Sequence, residues 1–221
     1  MIREMHAAIF DLDGVIVDTA KYHYLAWKRL ANEYGFDFTV LDNERLKGVS
    51  RMRSLEILLE IGGVSPLDEA AKQTMAEQKN GWYVEYINKM EAAEILPGAV
   101  DYIRFIQRKG VKTALASASR NASLILERLQ ITSLFDVVMD SATVGNPKPD
   151  PEIFTRAAEN LGVGPEYCVV FEDAEAGIEA AKRAGMASVG IGKSAILKDA
   201  DMVIPGFQPF LALFLFEVKN R

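Results

Sequence analysis

The sequence is poor in the residues that build crosslinks and transition-metal centres. It holds one cysteine, Cys168, and two histidines among 221 residues. A single cysteine excludes an intramolecular disulfide and any multi-cysteine metal site. It falls in the apolar run Cys-Val-Val-Phe at 168–171, where a thiol serves as a small buried hydrophobe. Positive charge is also scarce: 25 Lys and Arg stand against 31 Asp and Glu, a formal charge of -6. Nonspecific nucleic-acid binding needs a basic surface, so no nucleic-acid partner is expected, although a local basic pocket for a small anion is allowed. Long hydrophobic runs are missing as well. Residues 1–10 carry charges and no apolar stretch of signal-peptide length. The apolar run Phe210 to Val218 falls far short of the roughly 20 residues that span a bilayer. A helix packed on the core is its expected use, with no membrane contact and a cytoplasmic location. Nothing in the sequence demands more than a monomer.

What is present is a 49% hydrophobic chain that can bury a substantial core without staples. Ala7 to Phe10 is apolar at every position, as a central parallel strand is. A helix follows, with Asp18 or Thr19 as its cap, Tyr24, Trp27, Ala31 and Tyr34 at helical spacing, and Gly35 at its end. Arg51 to Ile61 and Asp68 to Lys89 also read as helices, and no strand is evident before about Met90. After Pro97-Gly98 the pattern alternates. Helices are expected over 100–109, 121–129, 151–161 and 174–184, with strands over 111–116, 135–139, 168–171 and 187–191. Such alternation predicts an α/β fold, a parallel sheet with helices on both faces. Residues 18–90 then form an all-helical insertion, and residues 1–17 with 91–221 form the core.

In an open parallel sheet, ligands sit beyond the carboxyl ends of the strands. Those ends here carry Asp11-Leu12-Asp13-Gly14, Ser117, Lys148 and Glu172-Asp173. Taken alone, Asp11 and Asp13 read equally well as loop or capping acids, and Lys148 as a surface lysine. Asp11 directly follows an apolar strand, however, where unpaired charge is expensive. Converging carboxylates with no His or Cys nearby suit Mg²⁺, which prefers oxygen ligands. The chemistry is then hydrolysis by activated water or covalent transfer through a carboxylate. Arg120 at a predicted helix start suits a phosphate, and Arg51 can clamp the same anion. A solvated helix-start arginine is the plain alternative for Arg51. His23 reads as an exposed helix residue, or as a partner of Asp13 or of a sugar hydroxyl. His6 is expected at the surface.

These segments together resemble the four ordered motifs of the haloacid dehalogenase (HAD) superfamily, and the helical insertion resembles its C1 cap. The resemblance covers nearly the whole chain and implies a HAD-like Rossmannoid parallel sheet core. It implies Asp11 as nucleophile, Asp13 as general acid/base oriented by Thr19, and Ser117 and Lys148 as stabilisers of the transferring phosphoryl group. Mg²⁺ would be held by Asp11, Glu172, Asp173 and the backbone carbonyl of Asp13. Within the superfamily, the segments around Asp13 to Trp27, Leu46 to Ser54, Lys79-Asn80 and Ala114 to Asn121 are similar to a sugar phosphomutase branch. That likeness implies sugar-phosphate contacts at Trp27, Gly48, Val49, Ser50, Arg51, Ser54 and Lys79. Ser119, Arg120 and Asn121 would hold a second, non-transferring phosphate. The implied reaction interconverts β-D-glucose 1-phosphate and D-glucose 6-phosphate through glucose 1,6-bisphosphate, the alternative being a sugar-phosphate phosphatase. A cap closing on hinges near residues 15–18 and 91–97 would keep water from the aspartyl-phosphate.

Overall fold

The computed structural model describes residues 4–46 and 49–208. Six strands form one parallel sheet: β1 (Ala7–Phe10), β2 (Lys112–Ala116), β3 (Val137–Met139), β4 (Cys168–Glu172), β5 (Ala187–Ile191) and β6 (Met202–Ile204). Their order is β3-β2-β1-β4-β5-β6, so β1 lies at the centre, where the direction of winding reverses. In register, Phe10 pairs with Leu115 on one side and Phe171 on the other. The segments after β1, β2 and β4 therefore leave the sheet side by side. That is the point at which doubly wound sheets bind ligands.

Alternation along the central strands divides the core into two faces. Phe10, Leu115 and Phe171 face one way and pack with α5 (Ala99–Gln107) and α6 (Ala122–Arg128). Ile9, Ala116 and Val170 face the other way, against α7 (Glu152–Leu161) and α8 (Glu175–Arg183). Phe10 stacks on Phe171 with ring centroids 4.7 Å apart. Truncating either ring to alanine costs about 3–5 kcal/mol, the usual loss for a buried phenylalanine.

Among the described residues, four α-helices lie between β1 and α5, α1 (Ala20–Glu33), α2 (Val40–Glu44), α3 (Arg51–Gly62) and α4 (Glu69–Ile87), followed by a 3-10 turn at Ala92–Glu94. Ser50 and Asp68 cap α3 and α4, accepting bonds from the backbone of Arg53 and Ala71. The short α2 was not expected from periodicity, yet a reciprocal Thr39/Asp42 capping box starts it. Thr19 occupies the cap position of α1 without capping it: its backbone is helical rather than extended, and its hydroxyl donates to Asp13. Tyr34, assigned to the apolar stripe of α1, lies past its end and is exposed. The edge strand β6, three residues long, was also not expected. Two links join the helices to the sheet and run together: Asp18 donates to the Glu94 carbonyl and Leu96 to that of Ile16, each at 2.9 Å. The expected helix over 210–218 falls outside the described residues. Among those residues, no helix is long and apolar enough to cross a membrane.

Candidate active site

Asp11 follows β1 directly and is only 6% exposed. Its Oδ1 accepts the Lys148 ammonium at 2.6 Å, and its Oδ2 accepts the Asp13 amide at 3.0 Å. Lys148 also donates to Glu172 Oε1 at 2.7 Å and to the Ala116 carbonyl at 3.1 Å. Three acceptors thus match the three donors of the ammonium. The plain reading of Lys148 as a surface lysine fails. Burial pushes the Asp11 carboxyl up to about 7, against the pull of Lys148 and with further help from Glu172 and Asp13. Burial alone would lower Lys148, but Asp11 and Glu172 outweigh it and hold the ammonium above its ordinary value. The loop that presents Lys148 is secured by Glu152, which accepts the amides of Gly145 and Asn146. Sequence reading missed this residue, because its partners lie six and seven positions upstream in an irregular loop.

Carboxylate oxygens of Asp11, Glu172 and Asp173 gather within 4.8 Å of one another. Glu172 Oε2 is fixed by the amides of Asp173 and Ala174 at 2.8 and 2.9 Å. Two glycines keep room for the acids. A Cβ on Gly14 would collide with the Asp173 carboxylate, and one on Gly177 with that of Glu172. Gly14 also has φ +81, a conformation that side chains disfavour. This all-oxygen, partly buried cradle fits a hard divalent cation.

Asp13 receives a hydrogen bond from the buried Thr19 hydroxyl. Burial raises its pKa, while Thr19 and Lys148 oppose the rise. His23 does not reach Asp13 as expected. Its Nδ1 meets Lys79 Nζ at 3.0 Å and its ring lies on Tyr83, because α1 and α4 pack together there. Burial, Lys79 and Arg51 hold His23 well below its ordinary pKa, so it is neutral. Lys79, 3% exposed, sits over the rings of Trp27 and Tyr83. Burial lowers its pKa strongly, with Arg51 adding to the effect.

Across the same cavity, Arg51 Nη2 and Asn121 Nδ2 both donate to Asn80 Oδ1, at 2.8 and 2.9 Å. Arg120 is exposed beside them, and burial followed by Arg120 lowers the Arg51 pKa. The cavity measures about 570 Å³ and is lined by both groups. Val49, Ser50 and Ser54 line it as expected, although the Ser50 hydroxyl is engaged in capping α3. Ser117 is fully buried behind that lining, and its Oγ accepts the Ser119 amide at 3.0 Å. Gly48 lies outside the described residues. Tyr83 and Asn43 also line the cavity and were missed by sequence reading. Asn43 carries a buried amide oxygen without a hydrogen-bond partner. An aromatic or an amide at helical spacing gives no signal that it faces a ligand.

The chain is 46% identical to a β-phosphoglucomutase of Bacillus subtilis over 201 residues, covering 90% of this chain and 89% of that one. It is 38% identical to a phosphorylated carbohydrates phosphatase of Thermotoga maritima, with 82% of each covered. The crystal structure of a β-phosphoglucomutase from Clostridium difficile superposes with a TM-score of 0.88 at 44% identity, covering 93% of this chain and 92% of that one. The model of the haloacid dehalogenase-like hydrolases matches residues 5–185. The chain belongs to the haloacid dehalogenase-like hydrolase family.

Proposed function

We propose that this chain is a phosphomutase that interconverts β-D-glucose 1-phosphate and D-glucose 6-phosphate through β-glucose 1,6-bisphosphate. The observation that carries the reading is one cavity lined by two separate groups of side chains, each suited to a phosphate. Asp11, Lys148 and the acids occupy one end, and Arg51, Asn80 and Asn121 the other. A bisphosphate needs both ends, whereas hydrolysis of a monophosphate needs only the first. The high identity to β-phosphoglucomutases over most of the chain supports the same choice.

In the proposed cycle, phosphorylated Asp11 meets β-glucose 1-phosphate. The sugar 6-hydroxyl gives its proton to the Asp13 carboxylate and its oxygen bonds the phosphorus, while the Asp11–phosphorus bond breaks. The bisphosphate turns over in the cavity, placing its 1-phosphate against Asp11. Asp11 then attacks that phosphorus, and protonated Asp13 returns the proton to the departing sugar oxygen. A carboxyl whose pKa is raised by burial suits this exchange, and Thr19 aims it. Lys148 offsets charge on the transferring group, and Ser117, whose Oγ accepts from Ser119, keeps its own O–H to donate. Asp11, Glu172 and Asp173, with the Asp13 carbonyl, would hold Mg²⁺, which would supply positive charge to the phosphoryl oxygens. Lys79, Trp27, Val49 and Ser54 form the sugar's surroundings, and neutral His23 holds Lys79 in place. Residues 18–90 act as a cap on the paired links at 15–18 and 91–97. The enzyme works as a cytoplasmic monomer.

The test supplies β-glucose 1-phosphate, Mg²⁺ and a trace of glucose 1,6-bisphosphate, with glucose 6-phosphate and inorganic phosphate followed separately. Glucose 6-phosphate in large excess over phosphate is expected. Release of phosphate without glucose 6-phosphate would replace this reading with a sugar-phosphate phosphatase.

A further inference from the structure

Two guanidiniums share one end of the cavity, Arg51 at the start of α3 and Arg120 in the turn after β2. Like charges so placed repel, and Arg51 is half-buried, which costs its guanidinium part of its hydration while Glu77 offsets some of the loss. Further help comes from α4. Asn80 Oδ1 accepts Arg51 Nη2 at 2.8 Å and Asn121 Nδ2 at 2.9 Å, both good hydrogen-bond lengths. One oxygen therefore ties a donor of the helical insertion to a donor of the sheet domain.

The rotation of α4 that makes this possible is set by its packing on α1. Lys79 is buried against Trp27 of α1 and against Tyr83, one turn further along α4 on the same side of the helix. The next residue points about 100° around the axis, which carries the Asn80 amide to the guanidinium end. An amide suits the place. It offers an acceptor without the full negative charge that would repel a phosphate, and its length spans the gap without a further methylene.

We propose that Asn80 is a positioning residue that assembles the clamp for the sugar's second phosphate before that phosphate arrives. Arg51 and Asn121 then meet the anion already oriented, so binding does not have to order them. The inference rests on the mutase reading and assigns to Asn80 a task that reading leaves open.

The experiment compares wild type, Asn80→Ala, Asn80→Asp, Arg51→Ala and the Asn80→Ala/Arg51→Ala double variant in the mutase assay. Separate KM values are taken for β-glucose 1-phosphate and glucose 1,6-bisphosphate. Asn80→Ala is expected to raise the bisphosphate KM about tenfold, the loss typical of one well-oriented hydrogen bond, and to change kcat less. On the Arg51→Ala background the same substitution should add less than about threefold, since one of the two groups it positions is gone and only Asn121 is left to lose its tie. Asn80→Asp keeps the shape and the acceptors, guards against loss of folding, and should raise KM through its charge. A fall in kcat at constant KM, or full additivity with Arg51→Ala, would overturn the inference. Wild-type turnover is the separate control: no glucose 6-phosphate from wild type sinks the parent reading and this inference with it.

Discussion

Replacing Lys148 with methionine keeps most of the side-chain volume and removes one charge from the middle of the site. The ammonium bonds Asp11 at 2.6 Å and Glu172 at 2.7 Å, with side-chain exposures of 1%, 9% and 2% for the three groups. Breaking a pair this buried costs about 3–5 kcal/mol, because the partner charges stay behind without compensation. For a chain of this size each kcal/mol moves Tm by roughly 2–4 °C, so a loss of about 6–20 °C is expected. The deficit should depend on pH with a definite sign. Burial already pushes the Asp11 carboxyl up to about 7 while Lys148 pulls it down, so losing Lys148 sends it higher. A carboxyl with a raised pKa costs stability as pH rises through that value, and protonation relieves the cost as pH falls. The Tm gap between wild type and Lys148→Met should therefore widen above about pH 7 and narrow below it. Added Mg²⁺ should recover part of the gap, since the cation takes over the charge that the lysine supplied. Mutase turnover should fall by about 100- to 1,000-fold, the usual loss of one electrostatic stabiliser. Calorimetric scans in EDTA and in Mg²⁺ across pH 5–9 read the stability changes, and the glucose 6-phosphate assay reads the turnover. A variant within about 2 °C of wild type at every pH would refute the reasoning.

Three further outcomes follow from single contacts. Gly14→Ala should lose about 1–3 kcal/mol in denaturant unfolding, for its positive φ, and should weaken Mg²⁺ binding by titration because its Cβ displaces Asp173; unchanged Mg²⁺ affinity would contradict the cradle. Thr19→Val removes the donor that favours ionised Asp13, so the rising limb of the pH–rate profile should shift to higher pH and kcat should drop about tenfold; an unmoved limb would exclude the contact as the orienting one. His23 has a depressed pKa, so below about 6.5 the unfolded chain takes up a proton that the folded chain refuses. Stability should fall on the acid side, and His23→Gln should flatten that fall in pH-dependent unfolding curves.

Much of this site was legible because its residues follow strands that announce themselves. Four unbroken apolar positions at 7–10 mark a central strand, and the acids after it have one place to go. The same logic places Ser117 and Glu172-Asp173, since parallel strands in register end at one edge. Lys148 was harder, since it arrives on a loop well beyond β3, and its depth depends on three acceptors from three other segments. Side-chain partners across the fold were the least legible. Thr19 reads both as a helix cap and as the group that orients Asp13, and of the two the structure has its hydroxyl donating to Asp13. His23 reads as an exposed helix residue or as a partner of Asp13 or of a sugar hydroxyl, and no local pattern announces the Lys79 contact that the packing of α1 on α4 gives it. The Arg51–Asn80–Asn121 cluster joins residues 29 and 41 positions apart, which no local pattern encodes. The short α2 and β6 lie below the length at which periodicity speaks, although the Thr39/Asp42 capping box was there to be read.

The central claim is that the phosphoryl group passes through Asp11, and isotopic labelling tests it most directly. Glucose 1,6-bisphosphate labelled in its phosphates is mixed with the enzyme and Mg²⁺, quenched in acid and mapped by peptide mass spectrometry. The label should appear on the peptide containing Asp11, chase into glucose phosphates when β-glucose 1-phosphate is added, and vanish in Asp11→Asn. Label that goes only to inorganic phosphate, or turnover that survives in Asp11→Asn, would contradict the account.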